Sequence, residues 1–90
     1  MSRSPVERFQ WSDVVEEKVF VKHSLTRDEV EEAFFYPDLR RLKARGRRIL
    51  LSRTEAGRYV MVVYQLGNRT ARIISARDMT LSERRRYQRK

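Results

Sequence analysis

The sequence predicts an α+β domain in which helices pack on a small antiparallel β-sheet. Two capping-box patterns, Thr26 to Glu29 and Thr80 to Glu83, mark helix starts, because each side chain can satisfy a free backbone amide of the other residue. Between them, turn-forming residues recur about every eleven residues over residues 45–68, separated by apolar, β-branched runs. That spacing is typical of a β-meander.

The N-terminal part predicts a short edge strand followed by a helix. Residues 1–8 are expected to form a loose tail, and residues 9–90 a single domain, since 90 residues with 40% hydrophobic content supply only one core. Phe9 to Trp11 can form an edge strand. Ser12 or Asp13 can cap a first helix that runs to about Lys22.

The second helix begins at the Thr26 capping box and ends before Pro37, which cannot continue a helix. Asp28 and Glu29 lie in its first turn, where the helix dipole favours carboxylates. Its apolar residues follow the i, i+3, i+4 spacing of a buried helix face: Val30, Ala33 and Phe34.

The strands of the meander lie between the turns, and a final helix follows from Thr80 through Tyr87. The turns are Arg45–Gly46, Ala56–Gly57 and Gly67–Asn68, and the strands cover 49–51, 59–64 and 72–75, with a further strand at about 39–43. The alternation of strand side chains places Arg58, Val60, Val62 and Tyr64 on one face, with Tyr59, Met61 and Val63 opposite. On the last strand it groups Ile73, Ser75 and Arg77.

The positive charge lies in the second part of the chain. The net charge is +9, made up of −4 over residues 1–38 and +13 over residues 39–90. A field of one sign favours a polyanionic partner such as nucleic acid, although an arginine-rich solvated surface would have the same composition. There is no Cys and one His, so a thiolate metal site is excluded and a zinc site is disfavoured. We expect no metal and no cofactor.

The longest apolar run is Tyr59 to Tyr64, far shorter than the roughly 20 residues that span a membrane. Residues 1–11 contain no stretch typical of a signal peptide. We therefore expect a cytoplasmic protein that does not bind a membrane.

Three groups of residues make the chain resemble the BrnT toxins, a RelE-like ribonuclease family of bacterial toxin–antitoxin systems. The most specific is Arg72-Ile73-Ile74-Ser75-Ala76-Arg77 followed by Thr80, Glu83-Arg84-Arg85 and Tyr87. The others are Trp11 with Lys22-His23, Leu25-Thr26, Glu29 and Phe34-Phe35-x-Pro37, and Arg47-x-Ile49 with Gly57-Arg58 and Val62-Val63-Tyr64. The resemblance runs from about Phe9 to Tyr87. The chain departs from the family pattern at Val15, Val19, Ser24 and Gln65-Leu66.

The resemblance implies a RelE-like fold and a metal-independent endoribonuclease that cleaves mRNA by attack of the 2′-hydroxyl. It also implies inhibition by a small BrnA-type antitoxin protein with a ribbon-helix-helix DNA-binding part, in a possible heterotetramer. If the departures at Val15 and Val19 removed polar groups of the site, the activity of this copy would be reduced or lost.

RNA cleavage needs positive charge around the scissile phosphate, and the planar guanidinium of arginine suits it. We expect Arg58 and Arg77 to converge as phosphate clamps; the alternative is that each pairs with Asp78 or Glu83 at the surface. His23, with Lys22, is a candidate acid or base because histidine titrates near neutrality, but it can equally cap the first helix. The other predicted RNA-binding residues are Arg47, Arg72, Tyr64, Arg84, Arg85 and Tyr87, of which both tyrosines can instead belong to the core.

Three functions fit these observations. The first is the ribonuclease toxin, and the second is a non-catalytic RNA- or DNA-binding module, such as an inactivated toxin homologue. The third is a partner whose basic half binds an acidic protein. Cleavage of RNA in EDTA favours the first, and salt-sensitive binding without cleavage favours the second.

Overall fold

The computed structural model describes residues 6–89, which form three helices and one five-stranded sheet. The elements in chain order are β1 (Arg8–Gln10), α1 (Asp13–His23), α2 (Arg27–Ala33), β2 (Arg40–Ala44), β3 (Arg47–Arg53), β4 (Tyr59–Gly67), β5 (Thr70–Asp78) and α3 (Leu81–Gln88). The strands lie in the order β1-β5-β4-β3-β2. The predicted α+β class and the predicted helices are confirmed.

The sheet is mixed rather than wholly antiparallel. Strands β2 to β5 form the predicted antiparallel meander, but β1 pairs with β5 in parallel, with Gln10 opposite Arg72. The aromatic ring of Phe9 packs against Phe34 at 5.1 Å, between the sheet and α2. The half-buried Phe9 side chain therefore contributes to holding β1 at the edge of the sheet, beside β5.

The three helices begin at the residues that the capping patterns predict. The Ser12 hydroxyl accepts from the Val15 amide at 3.1 Å, and both capping boxes are complete, at Thr26 with Glu29 and at Thr80 with Glu83. Helix α2 ends at Ala33, ahead of Pro37.

Two of the strand connections are two-residue loops that need a left-handed backbone. Gly46 has φ 62° between β2 and β3. Asn68 and Arg69 have φ 51° and 57° between β4 and β5, so this turn lies one residue later than the predicted Gly67–Asn68. Both loops fix the register of the strands that they join.

The sheet has a separate apolar cluster on each face. Helices α1 and α2 cover the first face, where Val60, Val62 and Tyr64 are buried with Val19, Leu25, Val30 and Phe34. Helix α3 covers part of the other face, where Tyr87 packs with Leu51 and Met61. The predicted alternation of β4 is confirmed.

Strand β5 does not alternate as predicted, because a β-bulge interrupts it. Ile73 pairs with Tyr64 and Ser75 with Val63, so Ile74 is the extra residue. Ile73 and Ala76 consequently belong to the same apolar cluster under α1 and α2. The prediction that Ile73, Ser75 and Arg77 share a face is wrong, since the bulge inverts the pattern after Ile74.

The described chain is packed from Val6 onwards, whereas the predicted tail extended to Arg8. Val6 is 2% exposed and belongs to the core, and the amides of Glu7 and Arg8 donate to the Arg69 carbonyl at 2.7 and 3.1 Å. The rest of the predicted tail, residues 1–5, lies outside the described residues.

None of the helices in residues 6–89 is long and apolar enough to cross a membrane.

Candidate nucleic-acid interface

Arg58 holds the C-terminal end of α1 against the sheet. Its Nη1 donates to the Ser24 carbonyl at 2.8 Å, and its Nη2 donates to the His23 carbonyl at 2.9 Å. The guanidinium also pairs with Asp78, with Nη2 at 2.9 and 3.0 Å from the two carboxylate oxygens. The positive charge of Arg58 is favourable at this position, because the C-terminal end of α1 is the negative end of the helix dipole and its last carbonyls need hydrogen-bond donors. The contacts assign Arg58 to the support of α1.

Arg77 makes a two-pronged ion pair with Glu83 at the start of α3. Nη1 and Nη2 lie 2.8 and 2.9 Å from the two Glu83 oxygens, and Nη1 also donates to the Asp78 carbonyl. The hydrogen bond from Arg77 is the main reason that the pKa of Glu83 is lowered, although burial opposes that shift. The same carboxylate completes the capping box by accepting from the Thr80 amide.

The two predicted phosphate clamps lie on opposite faces of the sheet. Arg77 is opposite Met61, on the face that α3 covers, whereas Arg58 reaches the ends of α1 and α2 on the other face. Each guanidinium is engaged in its own ion pair. The prediction that Arg58 and Arg77 converge is therefore wrong, and the alternative of pairing with Asp78 and Glu83 is confirmed.

The Arg77–Glu83 pair predicts a pH dependence of stability. Because the folded-state pKa of Glu83 is lowered, its stabilising contribution is present above the unfolded pKa of about 4.3 and is lost as the pH falls through the folded pKa. We expect Glu83→Gln, which keeps the cap, to lower the free energy of unfolding by about 1 kcal/mol at pH 7. Denaturant unfolding measured from pH 7 to pH 2 should show this difference vanish at the acid end. The exposed Glu17→Gln is the control, and an equal loss at every pH would contradict the prediction.

Lys22 and His23 lie at the C-terminal end of α1, where Arg58 donates to the His23 carbonyl. Lys22 is exposed, and the half-buried His23 side chain makes no hydrogen bond within residues 6–89. An 11-residue helix is about 16 Å long, which separates His23 from Ser12 at the start of α1.

Both predicted RNA-binding tyrosines have their rings in the apolar clusters. Tyr64 is fully buried and contacts Phe34 edge-on at 4.9 Å. Tyr87 is 8% exposed and packs on Tyr59 at 5.9 Å. Neither ring offers a free face to a base, so the alternative assignment to the core is confirmed for both.

Arg84 and Arg85 are exposed on α3. The guanidinium of Arg84 lies 4.0 Å from the centre of the Tyr59 ring, a cation–π contact that anchors the helix to the sheet. Arg85 makes no ion pair among the described residues.

Arg47 and Arg72 are the predicted residues that the fold brings together. Both line an open groove of about 650 Å³ at the end of the sheet where the two tight loops lie. Arg72 is opposite Gln65 on β4 and Gln10 on β1. On β3, Arg48 pairs with Tyr64, so the preceding residue, Arg47, lies beside Gln65. Gln10, Arg72, Gln65 and Arg47 thus form a row across four strands, about 5 Å apart.

The groove is electropositive. Lys43 and Arg48 also line it, and neither they nor Arg47 and Arg72 form an ion pair within residues 6–89. Its described lining includes no Asp or Glu. Unneutralised guanidiniums at an open surface attract phosphate oxygens. Nowhere in residues 6–89 do three or more His, Cys, Asp or Glu side chains form a group that could hold a metal ion.

The sequence interpretation missed Gln10, Gln65, Lys43 and Arg48 as lining residues. A signal for Gln65 was present, since a two-residue loop at Asn68–Arg69 places Gln65 opposite Arg72. Gln10 could not be found in this way, because its position depends on the parallel pairing of β1 with β5.

Comparison with known proteins gives a family and a fold. A family model described as the ribonuclease toxin BrnT of type II toxin–antitoxin systems matches residues 11–83. The crystal structure of the Brucella abortus ribonuclease toxin BrnT is similar, with a TM-score of 0.67 and 14% sequence identity over 83% of this chain and 99% of that one. At this identity the likeness establishes the fold alone. No curated protein matches the sequence.

Proposed function

Because the chain belongs to the BrnT family of ribonuclease toxins of type II toxin–antitoxin systems, we propose that it cleaves mRNA in the cytoplasm and that the scissile phosphate binds between Arg47 and Arg72. The observation that supports this site is that Arg47 and Arg72, which form no ion pair within the described chain, line the same open groove, whose described lining has no acidic residue. We also propose that the arrangement of sheet and helices is RelE-like.

The reaction requires no metal ion. The 2′-hydroxyl oxygen attacks the adjacent phosphorus, its proton passes to solvent, and the bond to the 5′-oxygen breaks as that oxygen takes up a proton. The products are a 2′,3′-cyclic phosphate and a 5′-hydroxyl. Arg47 and Arg72 stabilise the negative charge that grows on the phosphoryl oxygens, and this electrostatic stabilisation lowers the barrier to cleavage.

The test is incubation of the purified chain with mRNA in excess EDTA. We expect cleavage that EDTA does not reduce, with a cyclic phosphate at the new 3′ end and a hydroxyl at the new 5′ end. Cleavage that EDTA abolishes, or 5′-phosphate products, would contradict the proposed mechanism.

The partner that we propose is a BrnA-type antitoxin, a small protein that covers the groove, in a heterotetramer. Co-expression with a BrnA-type antitoxin should yield a stable complex in which cleavage is lost. A complex that retains full cleavage would contradict coverage of the groove.

A second candidate function is RNA binding without cleavage. It is favoured by the lack of His, Asp and Glu among the described groove residues, so that no side chain there is a usual general acid or base. Salt-dependent RNA binding with intact RNA at every protein concentration would support this function instead.

A further inference from the structure

A second cavity of about 380 Å³ adjoins the groove on the side of α1. It shares Gln10, Arg47, Gln65 and Arg72 with the groove. Its other lining residues are mostly apolar: Trp11, Ser12, Val15, Ile73 and Ile74. The volume lies in the range of small-ligand sites, and the lining combines polar groups with an apolar wall.

The cavity results from an incomplete strand pairing. Strand β1 ends at Gln10, which pairs with Arg72, so β5 continues past it without a described strand neighbour on that side. The bulge at Ile74 bends the same stretch of β5. Helix α1 covers the gap, and the Trp11 indole beside it is held in place because its N–H donates to Glu31 at 2.8 Å.

The polar groups in the cavity can recognise the edge of an uncharged heterocycle. Gln10 is exposed and its side chain makes no hydrogen bond within residues 6–89. The Gln65 amide nitrogen has one long contact of 3.5 Å with the Gly46 carbonyl, which leaves its amide oxygen free to accept. Each side-chain amide therefore offers at least one N–H donor and an oxygen acceptor, the combination that recognises the edges of bases.

We propose that this cavity binds the nucleobase next to the phosphate held by Arg47 and Arg72, and that Gln10 and Gln65 determine which base is preferred. This inference rests on one part of the proposed function, the binding of an RNA phosphate in the groove. Trp11, Val15 and Ile74 supply the apolar wall against which the base packs, as is usual for unpaired bases of single-stranded RNA.

The test uses hexanucleotides with 2′-O-methyl groups throughout, which cannot be cleaved, with one position varied among the four bases. We expect the wild-type chain to favour one base at one position by about tenfold or more. Gln10→Ala and Gln65→Ala should each reduce that preference to about threefold or less, while Gln88→Ala, on α3, should leave it unchanged.

Val15→Met narrows the cavity without changing a polar group, and it should weaken binding of the preferred hexanucleotide by about tenfold. Because Val15 is only half-buried and methionine is flexible, the midpoint temperature of thermal unfolding should change little. Equal affinity for all four bases, or a preference that survives both glutamine substitutions, would overturn the inference. Because the oligonucleotides cannot react, a chain that binds them selectively but cleaves no RNA would contradict the proposed cleavage alone. A chain that cleaves RNA without base preference would contradict this inference alone.

Discussion

Arg47→Gln and Arg72→Gln should each lower the rate of RNA cleavage by about 100-fold or more, because each removes a charged donor from the developing phosphorane. Both side chains are exposed and neither forms an ion pair within residues 6–89, so the free energy of unfolding should change by less than about 0.5 kcal/mol. Single-turnover cleavage of a labelled RNA, with denaturant unfolding of the same preparations, measures the two quantities.

Arg86→Gln is the matched control, since it removes one exposed guanidinium from α3, outside the groove. We expect it to change the cleavage rate by less than about threefold. The affinity for single-stranded RNA should also depend less on salt in the groove variants. The slope of log K against log salt should become shallower by about 0.7 for each phosphate that the protein no longer binds. Equal losses in Arg86→Gln and the groove variants would show that net charge, rather than the groove, is responsible.

Local patterns predicted most of the fold. Two helix starts follow from capping boxes, whose side chains lie three residues apart, and the third follows from Ser12 as the N-cap of α1. The meander follows from turn residues between β-branched runs. The parallel pairing of β1 could not be predicted, because it depends on contact between residues about 60 positions apart, such as Gln10 and Arg72. No local preference of a three-residue strand specifies such a partner.

The site could be predicted only in part, and the β-bulge is the main reason. Strict alternation along β5 would place Arg77 on the same face of the sheet as Ile73. Helices α1 and α2 cover that face, and the Arg58 side chain also lies there. One extra residue at Ile74 sends Arg77 to the opposite face, where it meets Glu83. Arg72 lies before the bulge and is unaffected, so its place beside Gln65 follows from the loop register.

Arg58→Ala should destabilise the fold rather than abolish the chemistry. The substitution removes hydrogen bonds to two carbonyls at the end of α1 and an ion pair with Asp78. The Arg58 side chain is 29% exposed, so solvent replaces part of these interactions, and we expect a decrease of about 2 kcal/mol in the free energy of unfolding.

Arg58→Lys separates the charge of this side chain from its geometry. A lysine keeps the positive charge near Asp78, but its single ammonium cannot span the His23 and Ser24 carbonyls together with the carboxylate. The lysine variant should therefore lie between the wild type and Arg58→Ala in denaturant unfolding. Both variants should cleave RNA within about threefold of the wild-type rate at temperatures where they are folded. A 100-fold loss of cleavage at unchanged stability would instead return Arg58 to the catalytic role that the sequence predicted, and would require the phosphate to bind at the end of α1 rather than in the groove.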